Sequence, residues 1–313
     1  MASAGLATTE PNHPAVVSTV PVPALSSPIH ELLYAVVHHV ARERGVACVF
    51  VKGPALHRQG LRTREHSGDI DVWCHPSDVD VLARALEEWG WHRAPDPWAG
   101  TSVPHSTAML PSGWGCEIDI HRRIPGLTLD DDRAFHLVRE DTVPLRYAGV
   151  EARVPSPATH AVIAAVNAVR PGPGDGARAT AASASALSAL QAGGRAALER
   201  ARELGAVPAL QTQLRALTGH DDWRDEGVPR DWKWRTQPTR WQAYAVALLS
   251  LPRRERYRAA IGVLWPSDEV ALASARKADD PTEDPGRARR RRLIRGLREA
   301  LPGRFAARKG ARS

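Results

Sequence analysis

The chain is predicted to be an α+β protein, a mixed sheet with flanking helices followed by a mainly helical region. Three observations carry that expectation. Short apolar runs bounded by glycine turns alternate with stretches of helical periodicity as far as Pro155. The segment Asp69-Ile70-Asp71-Val72-Trp73 alternates polar and apolar residues at the strand period of two. Beyond Pro155 strand patterns stop, and Ala- and Leu-rich stretches of helical spacing take over.

The elements follow in order. Ser27-Pro28 supplies an N-cap with proline at the first helical position, and Leu32, Leu33, Val36, Val37 and Val40 recur at helical spacing until Gly45. Residues 46–51 are an unbroken apolar run, the mark of a buried strand, and they end in a Lys52-Gly53 turn from which Pro54 opens a short helix to about Gln59. After the strand at 69–73, Ser77-Asp78-Val79-Asp80 caps a helix holding Val81, Leu82, Ala85, Leu86 and Trp89, which stops at Gly90. An extended stretch from Trp91 to Arg123 is best fitted by a hairpin: strand residues 107–110, a turn at Pro111-Ser112-Gly113, and strand residues 115–121. A helix is expected at 130–140, and two short strands around Leu145 and Val150 flank Tyr147-Ala148-Gly149. Then come a buried helix at 158–169, a Pro/Gly-rich break at 171–176, and helices at 177–190, 194–217, 241–251 and 254–264. This order predicts a leader at 1–28, an α+β domain at 29–155, a helical domain at 156–275, and a linker with a basic tail at 276–313.

Composition narrows the class. At 313 residues, 43% hydrophobic and 25% charged, the chain is long enough for two domains with proper cores. The first 28 residues hold no Lys or Arg, so they lack the charged region of a secretory signal and are expected to be disordered. No run approaches the roughly 18 apolar residues of a membrane span. Cys48, Cys74 and Cys116 are odd in number with no CxxC pair, which suggests buried reduced thiols in a cytoplasmic protein. The net charge of +7 is concentrated at one end: residues 287–313 carry eleven basic residues against the single acid Glu299, so the body is mildly acidic. The run Arg289-Arg290-Arg291-Arg292 is expected to be a solvated tail, with phosphates of nucleic acid or anionic lipid as its alternative ligand. An acidic body argues against nucleic acid as the main partner. The thirteen histidines show no HxxxH or HExxH spacing, which argues against a structural zinc site, and Trp223, Trp232, Trp234 and Trp241 are expected to pack rather than stack on bases.

Chemistry concentrates in two strands. Asp69 and Asp71 point the same way if residues 69–73 are a strand, with Ile70 and Val72 toward the core. Paired carboxylates on a strand suit a hard, oxygen-preferring cation such as Mg²⁺, and the plainer reading is a solvated strand end. In the second hairpin strand Ile118 and Ile120 face one way, while Glu117, Asp119 and His121 face the other, so Asp119 offers a third carboxylate. His121 either orients an acceptor or takes its proton, or is a hydrogen-bonded structural histidine. Lys52 binds phosphate or is a solvated strand end, and Gly53 lets the backbone approach phosphates at a helix N-terminus. Arg62 and Arg64 contact a triphosphate or pair with Glu65. Gly68 completes the substrate-binding candidates.

Together, Val51-Lys52-Gly53-Pro54-Ala55-Leu56, Arg62, Ser67-Gly68-Asp69-Ile70-Asp71-Val72 and Glu117-Ile118-Asp119-Ile120-His121 resemble the polymerase-β-type nucleotidyltransferases. More closely, they resemble the bacterial group known only as uncharacterised nucleotidyltransferases, over roughly residues 30–170. The resemblance implies a Mg²⁺-dependent enzyme that moves an NMP from an NTP, such as ATP, to an acceptor. It implies that Asp69 and Asp71 hold the nucleotide-bound metal and that Asp119 joins them at a second one. The superfamily usually has Gly-Ser in the turn, whereas this chain has Lys52-Gly53-Pro54; lysine can replace the serine contact as a point charge, and proline removes an N–H donor. By analogy of fold alone the preferred acceptor is a small molecule, a sugar or a peptide. The alternative is a non-catalytic nucleic-acid- or partner-binding protein on the same scaffold, with the basic tail as its contact.

Overall fold

The computed structural model describes residues 27–63, 67–171, 179–220, 223, 227–276 and 278–300. Most of the expected leader, Arg64, Glu65 and the end of the basic tail lie outside the described residues. A five-stranded sheet is built from β1 (Cys48–Val51), β2 (Asp69–Cys74), β3 (Trp91–Arg93), β4 (Ser106–Pro111) and β5 (Glu117–His121), in spatial order β1-β2-β5-β4-β3. The expected hairpin is present as antiparallel β4 and β5. β1 is antiparallel to β2, and β2 is parallel to β5 in a register that sets Asp71 opposite Asp119 and Asp69 opposite Glu117.

Strand parity sorts the sheet into two apolar faces. Ile70, Val72, Ile118 and Ile120 pack under α1 (Ser27–Glu43) and α3 (Val79–Glu87), against Leu33, Tyr34, Val37, Leu82 and Leu86. On the other face Val49, Val51 and Trp73 meet Phe135 and Val138 of α4 (Asp131–Glu140) and Val162 and Val166 of α5 (Pro157–Val169). Burial of each such Val, Leu, Ile or Phe stabilises by about 1.5–3 kcal/mol. α6 (Ala179–Glu203) and α7 (Val207–Thr218) share this core, so α5, α6 and α7 cover the sheet face that carries Asp69, Asp71 and Trp73. The break expected between 190 and 194 is a kink: Gly194, at φ 64 and ψ −159, interrupts α6. The hairpin of β6 (Thr142–Tyr147) and β7 (Val150–Pro155) closes over α1, where Tyr147 stacks on Tyr34 at 4.0 Å.

The C-terminal helices are α8 (Trp232–Arg235), α9 (Arg240–Ser250), α10 (Arg253–Leu264), α11 (Asp268–Arg276) and α12 (Pro285–Ala300), with α2 (Gly53–Arg58) belonging to the site. The arginine run expected in a solvated tail lies on α12 and is partly used inside the protein. Arg289 donates to the Pro266 carbonyl and pairs with Asp268, Arg291 pairs with Asp280, and Arg292 donates to the Val263 carbonyl. Ala288 packs against Ala271 and Ala275, a contact too small to stand out in so charged a sequence. Trp223 is buried in the sheet-facing core, and Trp234 packs beside Trp98 and Ala247, in keeping with packing roles. Upstream, Arg123 makes a buried bidentate pair with Asp231 (2.8 and 3.2 Å) and donates to the carbonyls of Ser102, Val103 and Pro104, tying the chain ahead of α8 to the loop before β4. The three cysteines are free thiols. Among the described residues no helix is long and apolar enough to cross a membrane.

Candidate active site

β1 ends where its apolar run meets Lys52, and the turn there is strained. Lys52 has φ 58 and ψ −146, a conformation that disfavours any side chain and costs about 1–3 kcal/mol unless its surroundings fix it. Gly53, at φ 50, follows as the first residue of α2. Two anchors hold the turn. The Lys52 amide donates to His160 Nε2 at 2.7 Å, and the ammonium donates to Asp71 Oδ1 at 2.7 Å.

His160, fully buried on α5, was not singled out from the sequence. Its Nδ1 lies 2.6 Å from Gln59 Oε1, so Nδ1 donates there while Nε2 accepts from Lys52, which requires the neutral ring. Burial drives its pKa down to about 3, with Arg62 and Lys52 adding to the fall and Asp71 opposing it. The only sequence signal was a lone histidine within the apolar stretch after Pro155.

Asp69, Asp71 and Asp119 lie on one sheet face, with Asp71 opposite Asp119. Asp71 is 4% exposed. Burial pushes its carboxyl up, but Lys52 and then His121 outweigh that and hold it well below the usual carboxylate range. Asp69, which accepts from Ser67 Oγ at 2.9 Å, is shifted upward by burial and by the nearby Asp71 charge, against the pull of Ser67 and Lys52. His121 is fully buried, with Nε2 2.8 Å from Asp71 Oδ1 and 3.4 Å from Asp119 Oδ2. It therefore contacts the carboxylates directly and does not line the neighbouring cavity.

That cavity, of about 400 Å³, is lined by Lys52, Gly53, Arg62, Asp69, Asp71 and Asp119 on one side and by Asn167, Arg170 and Ser185 of the later helices on the other. Arg170 and Asn167 carried no motif, because only packing brings α5 over the strand ends. Gly68 stays apart: its carbonyl accepts from the Cys116 thiol at 3.6 Å, and it does not line the cavity. Glu117 is exposed. A larger cavity, about 490 Å³, lies at the start of β1 among Arg42, Arg139 and Arg153, away from all three aspartates.

Three carboxylates are the donor chemistry a hard divalent cation takes, although among the described residues their oxygens do not converge within 4.8 Å as the donor atoms of His105, Asp119 and His121 do. Asp69, Asp71 and Asp119 share one sheet face, and the Lys52 ammonium seated on Asp71 Oδ1 marks a place where this cluster already attracts positive charge. Carboxylates on neighbouring strands and a lysine–glycine turn at a helix start thus line one cavity together with Arg62 and Arg170. The chain belongs to the family described as uncharacterised nucleotidyltransferase, whose sequence model matches residues 31–217. A solved structure, an antigenic nucleotidyltransferase-like protein from Paracoccidioides brasiliensis, is similar over 62% of this chain and 98% of its own, with 10% identity and a TM-score of 0.35. No curated protein matches.

Proposed function

We propose that the protein transfers a nucleoside monophosphate from an NTP to a small-molecule, sugar or peptide acceptor. The observation that carries this reading is one cavity lined by three aspartates and three cations, Lys52, Arg62 and Arg170. An acceptor oxygen forms a bond to the α-phosphorus, the bond to the pyrophosphate oxygen breaks, and the acceptor proton leaves to a carboxylate or to solvent. Asp69 and Asp71 would hold the nucleotide-bound Mg²⁺, with Asp119 sharing a second ion. When bound, these ions would stabilise charge on the attacking and leaving oxygens.

The chain's own groups have separable tasks. Lys52 supplies a positive charge whose position is fixed by the His160-anchored turn, and Gly53 keeps side-chain bulk away from the start of α2. Arg62 and Arg170 face the cavity and would neutralise triphosphate oxygens. His121 orients Asp71 and Asp119 from behind. The α+β part, 29–155, would supply the chemistry, and the helices after it would shape the acceptor side.

Calorimetry with Mg²⁺–NTP is the first test. Wild type binds, and Asp69→Ala and Asp71→Ala do not; equal binding by all three sinks the proposal. Mass spectrometry of cell extract incubated with the protein and labelled NTP then shows which class of acceptor gains mass.

A further inference from the structure

We propose that His105, Asp119 and His121 form a mixed nitrogen–oxygen metal position that takes a dication of the Mn²⁺ or Zn²⁺ class in preference to Mg²⁺. The proposal rests on the reading above, since Asp119 and His121 serve both. Each of the three residues offers one donor atom, and these atoms lie within 4.8 Å of one another. Ligands at roughly 2.0–2.2 Å from a common ion stand at most about 4.4 Å apart, so small side-chain movements suffice. Two imidazoles and a carboxylate suit a transition ion, whereas Mg²⁺ prefers oxygen donors and retained water.

The sheet creates this group, which is why histidine spacing did not reveal it. Ser106 pairs with His121 across β4 and β5, so His105 arrives beside His121, with ring centroids 5.6 Å apart. His121 Nδ1 is buried with no hydrogen-bond partner, an uncommon state for a ring inside a sheet. Its Nε2 and that of His105 face cations of the chain itself: Lys52 Nζ is 3.2 Å from the first and Arg170 Nη1 is 3.1 Å from the second. At these contacts each ring nitrogen presents its lone pair to a donor of the chain. A metal ion would take over from Lys52 and Arg170, and both of these line the cavity assigned to the triphosphate.

Electron spin-echo spectroscopy of the full-length protein with Mn²⁺ alone tests the idea. Wild type is expected to show ¹⁴N coupling to bound Mn²⁺. His105→Gln, chosen because His105 is less buried than His121, is expected to lose part of that coupling and about tenfold or more in Mn²⁺ affinity while keeping its melting temperature. Mn²⁺ bound through oxygen alone, no Mn²⁺ bound, or coupling and affinity unchanged in His105→Gln each overturn it. The wild-type spectrum decides even if the variant misfolds. If Mg²⁺–NTP still binds when ¹⁴N coupling is absent, this inference fails and nucleotidyl transfer stands; if Mn²⁺ shows nitrogen coupling but NTP does not bind, the reverse holds.

Discussion

The region matched by the family, residues 31–217, and the helix pair α11 and α12 use charge differently. In the first, Lys52 and Asp71 pair with side chains only 14% and 6% exposed, beside a fully buried His121 and under a strained turn. In the second, Arg289 meets an Asp268 side chain that is 66% exposed, and the packing beneath is alanine on alanine. Buried charge is costly unless several partners satisfy it, and strained backbone survives only where its neighbours enforce it. Around Lys52 such costs are offset by several partners at once, Asp71, His121 and His160.

The sharpest way to break this contrast is Asp71→Ala. It strands Lys52 next to His121 and should cost roughly 3 kcal/mol in urea unfolding, together with Mg²⁺–NTP binding. A loss below about 1 kcal/mol would place this pair with the exposed ones.

Lys52→Gly and Lys52→Ala come next. Both remove the ammonium, but only glycine relaxes φ 58, so Lys52→Gly should unfold about 1–3 kcal/mol later than Lys52→Ala. Equal stabilities would show that the turn stores no strain.

In the C-terminal helices the largest effect should come from Gly296→Ala, because the Trp241 indole occupies the space a Cβ would need. Overpacking of this kind costs about 1–3 kcal/mol. Hydrogen exchange should accelerate across α12 while Mg²⁺–NTP binding stays unchanged; altered binding would tie the two regions together.

The effect of pH has a definite sign. His160 is neutral in the folded protein, with its pKa down at about 3 against 6.5 when unfolded. Between those values the unfolded chain binds more protons, so this contribution is present above about pH 6.5 and is lost as pH falls toward about 3. Arg62, Lys52 and Asp71 are the charges acting on the ring, and the depressed Asp71 carboxyl adds loss in the same direction at lower pH. Chemical unfolding at pH 7 and pH 4.5 should therefore show a smaller acid loss in His160→Gln than in wild type.

The smallest effect is expected for Asp268→Ala. Its exposed pairing with Arg289 should be worth less than about 1 kcal/mol, and the change in melting temperature would show it.

Much of the site was legible because strand parity is local. One apolar residue between Asp69 and Asp71 puts both on one face, and the same rule picked Asp119 and His121 from β5 and the Lys52–Gly53 turn from the end of an apolar run. His160, His105 and Arg170 were hidden, since each reaches the site through pairing or packing with residues at least sixteen positions away. α12 was missed for another reason: its helical apolar signal was diluted by arginines that turned out to be partly engaged within the protein.

The sequence by itself determined the α+β class, the order of its elements up to Pro155 apart from the short strand β3, and which faces of two strands carry carboxylates, because backbone periodicity dictates those from neighbouring residues alone. Only the tertiary structure decided that β2 pairs parallel to β5 with Asp71 beside Asp119, that α5 sets His160 under the Lys52 turn, and that an ammonium sits on Asp71. These depend on long-range register and on the balance of burial against charge, which no local pattern encodes.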